Sequence, residues 1–322
     1  MKVHDLMKLS EPHINIVNAF AKCWDVLGRY NKPIVSISGG ADSDIVLDMV
    51  HKLDEEHKAV YVWYNTGLEY QATRKHLDFL EQKYSITIER VNPVKPIVLT
   101  VKEYGYPFLS KFVSDRIYSL QKNSFDFKSG NSYEEDAAKY LKCHSRIMWW
   151  HNVHRCITYN IAKNKLLKEF ISANPPEFNI SSKCCYYSKK RPAQLFVRSH
   201  NGDLNIIGTR KAEGGVRRLT QNCFTQNVRE DYAVYRPIFW FTSKDKAAYE
   251  HIFGVTHSEC YTVYGMKRTG CAGCPYSPRL WDELDIMRRF EPGLVRAAEN
   301  VFAPVYEYTK KYRDYKEVNN SE

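Results

Sequence analysis

Apolar side chains recur at Ile14, Ile16, Val17, Ala19, Phe20, Cys23, Trp24 and Leu27. That spacing predicts an amphipathic helix over 12–30, closed near Gly28. The run Pro33 to Ile37 reads as a buried strand, followed by a Gly-Gly turn and a second helical pattern over 44–56. Ala59 to Tyr64 is another apolar run, 69–84 a helix, and Ile86 to Val91 a third strand. Buried strands alternating with helices of this length predict a parallel sheet with crossover helices. From about 105 to 180 the periodicity blurs into mostly helical, aromatic-rich sequence with a polar loop near 124–132. Asn174-Pro175-Pro176 breaks it. Beyond lie a helix over 183–196, a strand from Leu204 to Gly208, an apolar run at Pro237 to Trp240 and a helix after Ser243. Two helices separated by Glu291-Pro292-Gly293 cover 281–312, and the last residues, EVNNSE, read as a frayed tail. There is no internal repeat.

The 322 residues allow about two domains. Hydrophobic residues make up 43% and charged residues 26%, which excludes global disorder. Lys and Arg number 47 against 37 Asp and Glu, a net charge of +10 that points to an anionic partner such as a nucleotide or nucleic acid. Eleven basic and four acidic residues fall between Lys183 and Arg236, so +7 of the excess is local. No apolar run reaches the ~18 residues of a membrane helix, and the start carries no secretory h-region. The expected setting is cytoplasmic and reducing. There, clustered cysteines among the nine point to metal, cluster or redox chemistry.

The chemistry concentrates in Pro33–Asp48, PIVSISGGADSDIVLD. A strand, a loop from Ser38 to Ser43 and a helix follow one another. Gly39 and Gly40 let successive N–H groups form an anion nest, backed by the positive end of the following helix. Ser36 belongs to the same segment; Ser38 and Ser43 are expected to donate to phosphate oxygens, and Asp42 to cap the helix. No Gly-Lys-Ser/Thr follows, so the loop is not a Walker A motif, and the G-x-G-x-x-G spacing of a dinucleotide site is absent.

Cys184-Cys185 and Cys271-x-x-Cys274 form two compact pairs. Together they make a four-cysteine set suited to a [4Fe–4S] cluster or Zn2+. Cys260 is a substitute ligand and Cys223 a reserve, while Cys23, Cys143 and Cys156 read as core. Arg210 is the strongest phosphate-binding candidate of the basic stretch, because a guanidinium suits phosphate or sulfate. Lys189, Lys190 and Arg229 read as a solvated basic face. Trp149 and Trp150, with Arg146, His151, His154 and Arg155, offer stacking surfaces for nucleic-acid bases. The simpler reading places the tryptophans in a helical core and His144, His151 and His154 as structural or surface groups.

The SGGADS string resembles the pyrophosphate loop of the N-type ATP pyrophosphatases. Further segments narrow the resemblance to the phosphoadenosine phosphosulfate reductase family, including relatives in DNA sulfur modification. These are Asn65-Thr66-Gly67-Leu68-Glu69, the Cys-Cys segment with Lys189-Lys190 and Pro192, and Ile207 to Glu213. Pro237 to Asp245 and Lys267-Arg268-Thr269-Gly270-Cys271-Ala272-Gly273-Cys274-Pro275 complete the series. The resemblance implies an adenine nucleotide α-hydrolase-like α/β fold, a doubly wound, mostly parallel sheet with a helical insert and a cysteine-rich C-terminal part. Expected divisions are a core over 1–104, an insert over 105–180, the rest of the core over 181–280 and terminal helices over 281–322. It implies Asp42, Ser43 and Arg210 as catalytic residues, and Ser36, Ser38, Gly39, Gly40, Asn65, Thr66, Gly67, Glu213, Lys267 and Arg268 as nucleotide-binding. It also favours [4Fe–4S] over zinc. Two departures stand out. Gly214 replaces the family's usual Ser after Glu213, and no cysteine follows Cys274, where the reductases carry their nucleophile.

The expected function is therefore attack on the α-phosphate of ATP, with Mg2+, to activate an acceptor for sulfur transfer. The alternatives are a sulfonucleotide reductase acting on adenylyl sulfate with a thiol from outside the tail, and a non-catalytic nucleotide or nucleic-acid binding module. Expected partners are an adenine nucleotide, nucleic acid, a thiol or sulfur-donor protein, and a second copy of the chain in a homo-oligomer; no membrane is expected.

Overall fold

A computed structural model of the protein describes residues 2–214, 220–227 and 231–319. Arg217, Arg218 and Arg229 of the basic stretch, and the last three residues of the expected tail, lie outside the described residues. Two compact units are present: Met1–Val94 with Lys189–Ala272, and Lys95–Ser188 with Gly273–Glu322.

The first unit is an α/β sandwich. Its helices α1 (Val3–Leu9) and α2 (Ile14–Arg29) lead into β1 (Pro33–Ile37), α3 (Ala41–Leu53), β2 (Val60–Tyr64), α4 (Gln71–Tyr84) and β3 (Ile88–Val91). After the excursion through the second unit come β4 (Leu204–Ile207), β5 (Phe224–Asn227) and β6 (Tyr232–Tyr235). The six strands lie in the order β3-β2-β1-β4-β6-β5, every pair parallel except β5 with β6. Period-2 alternation sorts the strand side chains between two faces. Val35, Ile37, Tyr61, Trp63 and Ile206 join the large core that includes residues of α2, α3 and α4. Ile34, Val62 and Tyr64 face the other way, onto Phe196 and Val197. Both faces are covered along β1, β2 and β4, which is why those strands read as largely continuous apolar runs and not as alternating ones.

α3 starts at Ala41, three residues before the expected position, because Gly40 and Ser43 close its first turn. α1 and the antiparallel β5–β6 pair were not expected: α1 is a single seven-residue stretch with four apolar residues, and β5 reads FTQN, a polar edge strand. The apolar run Pro237 to Trp240 is a turn.

The second unit is helical. It holds α5 (Ile97–Tyr104), α6 (Lys111–Lys122), α7 (Tyr133–Lys139), α8 (His144–Trp150), α9 (Leu167–Ala173) and α10 (Lys183–Cys185). A π-helical turn, Tyr186–Lys190, carries the chain out of it into α11 (Arg191–Ser199) of the first unit. The first unit also contains α12 (Ser243–Phe253) and α13 (Glu259–Thr262), and the second ends in α14 (Leu280–Phe290) and α15 (Pro292–Asn319). The helix α15 runs through Asn319, so Glu317 to Asn319 are helical where a frayed tail was expected. Trp149 and Trp150 are buried in this unit. Phe108 and Phe170 pack against Tyr308 of α15 at 5.1 and 5.0 Å between ring centres. The aromatic density of 105–180 is thus a core signal, and neither tryptophan is accessible for base stacking.

Candidate functional site

The strand order reverses direction at β1: β2 and β3 lie on one side of it, β4 on the other. In an open parallel sheet the ligand crevice forms at such a switch point, beyond the carboxyl ends of the strands. The two loops leaving those ends are Ser38 to Gly40 after β1 and Gly208 to Glu213 after β4.

Gly39 has φ +67°, the left-handed region, and a Cβ there would meet Thr73 Cγ2 at 2.6 Å. Ser43 Oγ organises the turn: it donates to the Gly40 carbonyl at 2.7 Å and accepts from the Ser38 and Gly40 amides, both at 3.2 Å. Ser38 Oγ lies 3.1 Å from it. Two expectations change here. The Ser43 hydroxyl, 3% exposed, spends its proton on the loop itself. Asp42 stands inside the helix and does not cap it; Gly40 occupies the N-cap position. The first turn of α3 stands at the crevice end of the helix, with the Ser43 amide donating to the Gly40 carbonyl at 2.8 Å.

Gly208 lets the β4 loop approach this turn: a Cβ there would lie 3.0 Å from the Asp42 carbonyl and the Ser43 Cα. Arg210 follows, its Nε donating to Asp42 Oδ2 at 2.8 Å. Lys246 Nζ of α12 lies 3.0 Å from the other Asp42 oxygen. Glu213 accepts from the Arg210 backbone N–H at 3.1 Å. Lys211 lies over the ring of Trp240, 4.9 Å from its centre.

Other segments of the first unit reach the same turn. Tyr261 of α13 accepts from the Ala41 amide at 3.2 Å, and its hydroxyl lies 3.3 Å from Thr269 Oγ1. The Ala272 amide donates to the Leu68 carbonyl at 2.8 Å, joining the Cys271 segment to Asn65–Glu69. Asn65 Oδ1 accepts from the Gly67 amide, and buried Thr66 donates to Glu69 at 2.6 Å. Burial raises the Glu69 pKa, opposed by the charge of Lys189 and the Thr66 hydrogen bond. Lys189 therefore faces Glu69 and is half-buried, a correction to the solvated face expected for it; Lys190 is exposed. Ser36 Oγ donates to Asn205 Oδ1 within the sheet at 3.0 Å. Lys267 and Arg268 are exposed.

Behind the loop lies a network that the sequence reading missed. Asp44, fully buried, accepts at one oxygen from His76 Nε2 at 3.0 Å and His257 Nδ1 at 2.8 Å. His257 Nε2 lies 2.8 Å from Glu250, and Glu250 lies 3.7 Å from Lys246. Burial alone would lower the His257 pKa, but the hydrogen bonds and charges of Asp44 and Glu250 outweigh it and raise it to about 9. One turn along α3, buried Asp48 accepts from Tyr84 and Tyr249 at 2.9 and 2.8 Å and pairs with Lys52. The signal was present in the sequence: Asp44 and Asp48, four apart in an apolar helix, had to find partners.

None of the nine cysteines is in a disulfide. Cys23 and Cys143 are buried as expected, but Cys156 is exposed and not a core residue. Cys223 packs at the edge of the first unit's core. Cys260 is fully buried in the first unit, 3.7 Å from Thr73 Oγ1. In the second unit Cys184, Cys185 and Cys274 lie near Tyr276, whose phenol pKa is raised well above its ordinary value by burial and then by those thiols. Cys271 belongs to the first unit. Among the described residues, no group of three or more His, Cys, Asp or Glu side chains is gathered to hold a metal ion. His151 pairs with Asp136 at 2.8 Å, His154 meets the Ser145 carbonyl and His144 the Tyr133 hydroxyl, all structural roles. No helix among the described residues is long and apolar enough to cross a membrane.

Residues 32–123 match the phosphoadenosine phosphosulfate reductase domain. An uncharacterized protein of Methanocaldococcus jannaschii is 28% identical over 160 residues, 49% of this chain and 32% of that protein, so the match spans about a third of the relative's length. Among solved structures, a phosphoadenylyl-sulfate (PAPS) reductase from Candida auris, in complex with phosphate, aligns with a TM-score of 0.43 and 14% identity. That alignment covers 84% of this chain and 93% of the other.

Proposed function

We propose, from the match of residues 32–123 to the phosphoadenosine phosphosulfate reductase domain, that the chain's first unit binds an adenine nucleotide at the Ser38–Ser43 loop. On this reading it activates an acceptor by attack on the α-phosphate of ATP. The observation that carries the reading is the placement of the glycine loop and the α3 N-terminus at the sheet's switch point, with Arg210 brought alongside. The positive end of α3 favours the pyrophosphate anion, which would compete with Ser43 and Tyr261 for the amides they now hold. Arg210, held by Asp42, is oriented to meet developing negative charge. The acceptor's nucleophile forms a bond to the α-phosphorus as the bond to pyrophosphate breaks, and pyrophosphate leaves. Asn65, Thr66, Gly67 and Glu213 shape the walls of this site, and Lys267 and Arg268 add positive charge. Mg2+ would neutralise charge on the leaving group.

A [4Fe–4S] cluster on Cys184, Cys185, Cys271 and Cys274 belongs to the same reading. Its support is the donor set, four thiols in two compact pairs. Among the described residues these thiols are not gathered into a metal-holding group, and no step is routed through a cluster.

The test is incubation of the full chain with α-labelled ATP, Mg2+ and candidate acceptors, including thiols and nucleic acid. Pyrophosphate release with one acceptor supports the reading. Sulfite release from adenylyl sulfate with a thiol would establish a reductase instead. Nucleotide binding without any turnover would leave a binding module.

A further inference from the structure

We infer that His257 is a standing imidazolium and a positioning residue that keeps Asp42 and Arg210 in place at the glycine loop. The geometry requires the cation. Nδ1 lies 2.8 Å from Asp44 Oδ2, and Nε2 lies 2.8 Å from Glu250 Oε1. An ionised carboxylate only accepts, so an imidazole between two of them satisfies both only when both its nitrogens carry protons. The same Asp44 oxygen also takes the His76 contact at 3.0 Å.

The groups facing His257 come from every element around it: Asp44 on α3, His76 on α4, Glu250 and Lys246 on α12, and the Tyr261 ring on α13, 5.8 Å away. Charges alternate outward from it. Glu250 lies 3.7 Å from Lys246, Lys246 lies 3.0 Å from Asp42, and Asp42 lies 2.8 Å from Arg210. With His257 charged, Arg210, Lys246 and His257 balance Asp42, Asp44 and Glu250. Without the His257 charge, Glu250 has one cation left, Lys246, and draws it from Asp42. Asp42 then loses one of its two restraints, and Arg210 loses its fixed acceptor. The charge state of a residue remote from the loop thus sets the geometry of the guanidinium at it. The part of this inference that concerns nucleotide rests on the function proposed above; the imidazolium itself does not.

The experiment uses the full chain and two readouts. Ring-nitrogen NMR should show His257 doubly protonated at pH 7.5 and titrating near pH 9. The Arg210 Nε–H resonance should move with it. A neutral, single-tautomer ring at pH 7.5, or an Arg210 signal that ignores the His257 titration, overturns the inference. Calorimetry with ATP should show affinity in the wild type that falls at least tenfold as pH rises through 9. His257→Gln should bind at least tenfold more weakly at pH 7.5 and lack that alkaline fall. Equal affinity and an equal pH profile would overturn the positioning role. If His257→Gln does not fold, Glu250→Gln leaves the ring one carboxylate. The His257 titration and the loss of affinity should then move together to lower pH, and a profile that stays put overturns the inference. A wild type that binds no nucleotide at any pH removes the proposed function, while the two NMR readouts still decide the imidazolium and its hold on Arg210.

Discussion

Arg210 Nε donates to Asp42 Oδ2 at 2.8 Å across 168 positions of sequence. The pair joins the loop after β4 to the first turn of α3, and both side chains are mostly buried, 12% and 16% exposed. An acidic residue in an anion loop looks counterproductive. Here its charge is matched by Arg210 and Lys246, so it orients a guanidinium without making the loop negative.

Arg210→Lys should therefore fail as a conservative change. A lysine keeps the charge but lacks the planar fork that can hold Asp42 with Nε and still present its remaining N–H groups to a phosphate. The expected result is at least a tenfold loss of ATP affinity, about 1.4 kcal/mol. Thermal stability should change little. Calorimetric titration with ATP and Mg2+ checks it; unchanged affinity would take Arg210 out of the phosphate site.

Gly39→Ala should weaken both fold and site. The position needs a left-handed backbone, and the added carbon would meet Thr73 Cγ2 at 2.6 Å. Strain of this kind costs on the order of 1–3 kcal/mol. Denaturant unfolding measures that loss, and nucleotide titration should show binding abolished. A variant as stable as the wild type would mean that the loop relaxes at no cost.

Much of this was legible in the sequence, and the exceptions share a cause. β1, β2 and β4 are buried on both faces, so their apolar runs announced them, while β3 is an edge strand with Glu89 and Arg90 exposed. The loop and helix after β1 followed from Gly-Gly and the periodicity beyond it. The β5–β6 pair was hidden because an edge strand such as FTQN need not be apolar. His257 was invisible because its partner Asp44 stands 213 positions away. Cys156 looked like core from its neighbours and is exposed, and Lys189 looked solvated yet faces Glu69. Local patterns report whether a residue prefers water; they do not report which distant residue it meets.

Trp149→Ala should destabilise the protein by about 3–5 kcal/mol, since the ring is fully buried. Trp149→Phe should cost much less, because the indole Nε1 is buried with no hydrogen-bond partner among the described residues, and its removal breaks none. Neither change should alter affinity for single-stranded nucleic acid measured by fluorescence anisotropy. A selective loss of that affinity in a folded Trp149→Phe protein would put the ring in a binding surface.

On the cluster reading proposed above, anaerobically purified protein should be brown, absorb broadly near ~400 nm and contain about four irons. Cys274→Ser should lose the colour and the iron while ATP binding at the Ser38–Ser43 loop persists. Metal analysis and absorbance check both. A colourless protein with one zinc per chain would replace the cluster with a zinc site.

Asp44→Asn tests the buried network through the pH dependence of stability. The folded His257 pKa is raised to about 9. A group whose pKa rises on folding stabilises the native state fully below its unfolded value, about 6.5 for histidine. That contribution is lost progressively as pH rises through 9. Wild-type stability should therefore decline between about pH 6.5 and 9. The substitution removes one of the two carboxylates that hold the imidazolium, and the folded pKa should fall back toward the ordinary value. Asp44→Asn should be less stable than the wild type at pH 6.5, by about 1–3 kcal/mol for the lost charged hydrogen bonds. The gap should narrow as pH approaches 9.5, where the wild type has lost the same contribution. Urea unfolding at intervals of half a pH unit gives both curves. Parallel curves, offset by a constant amount, would show that His257 carries the same charge with and without Asp44.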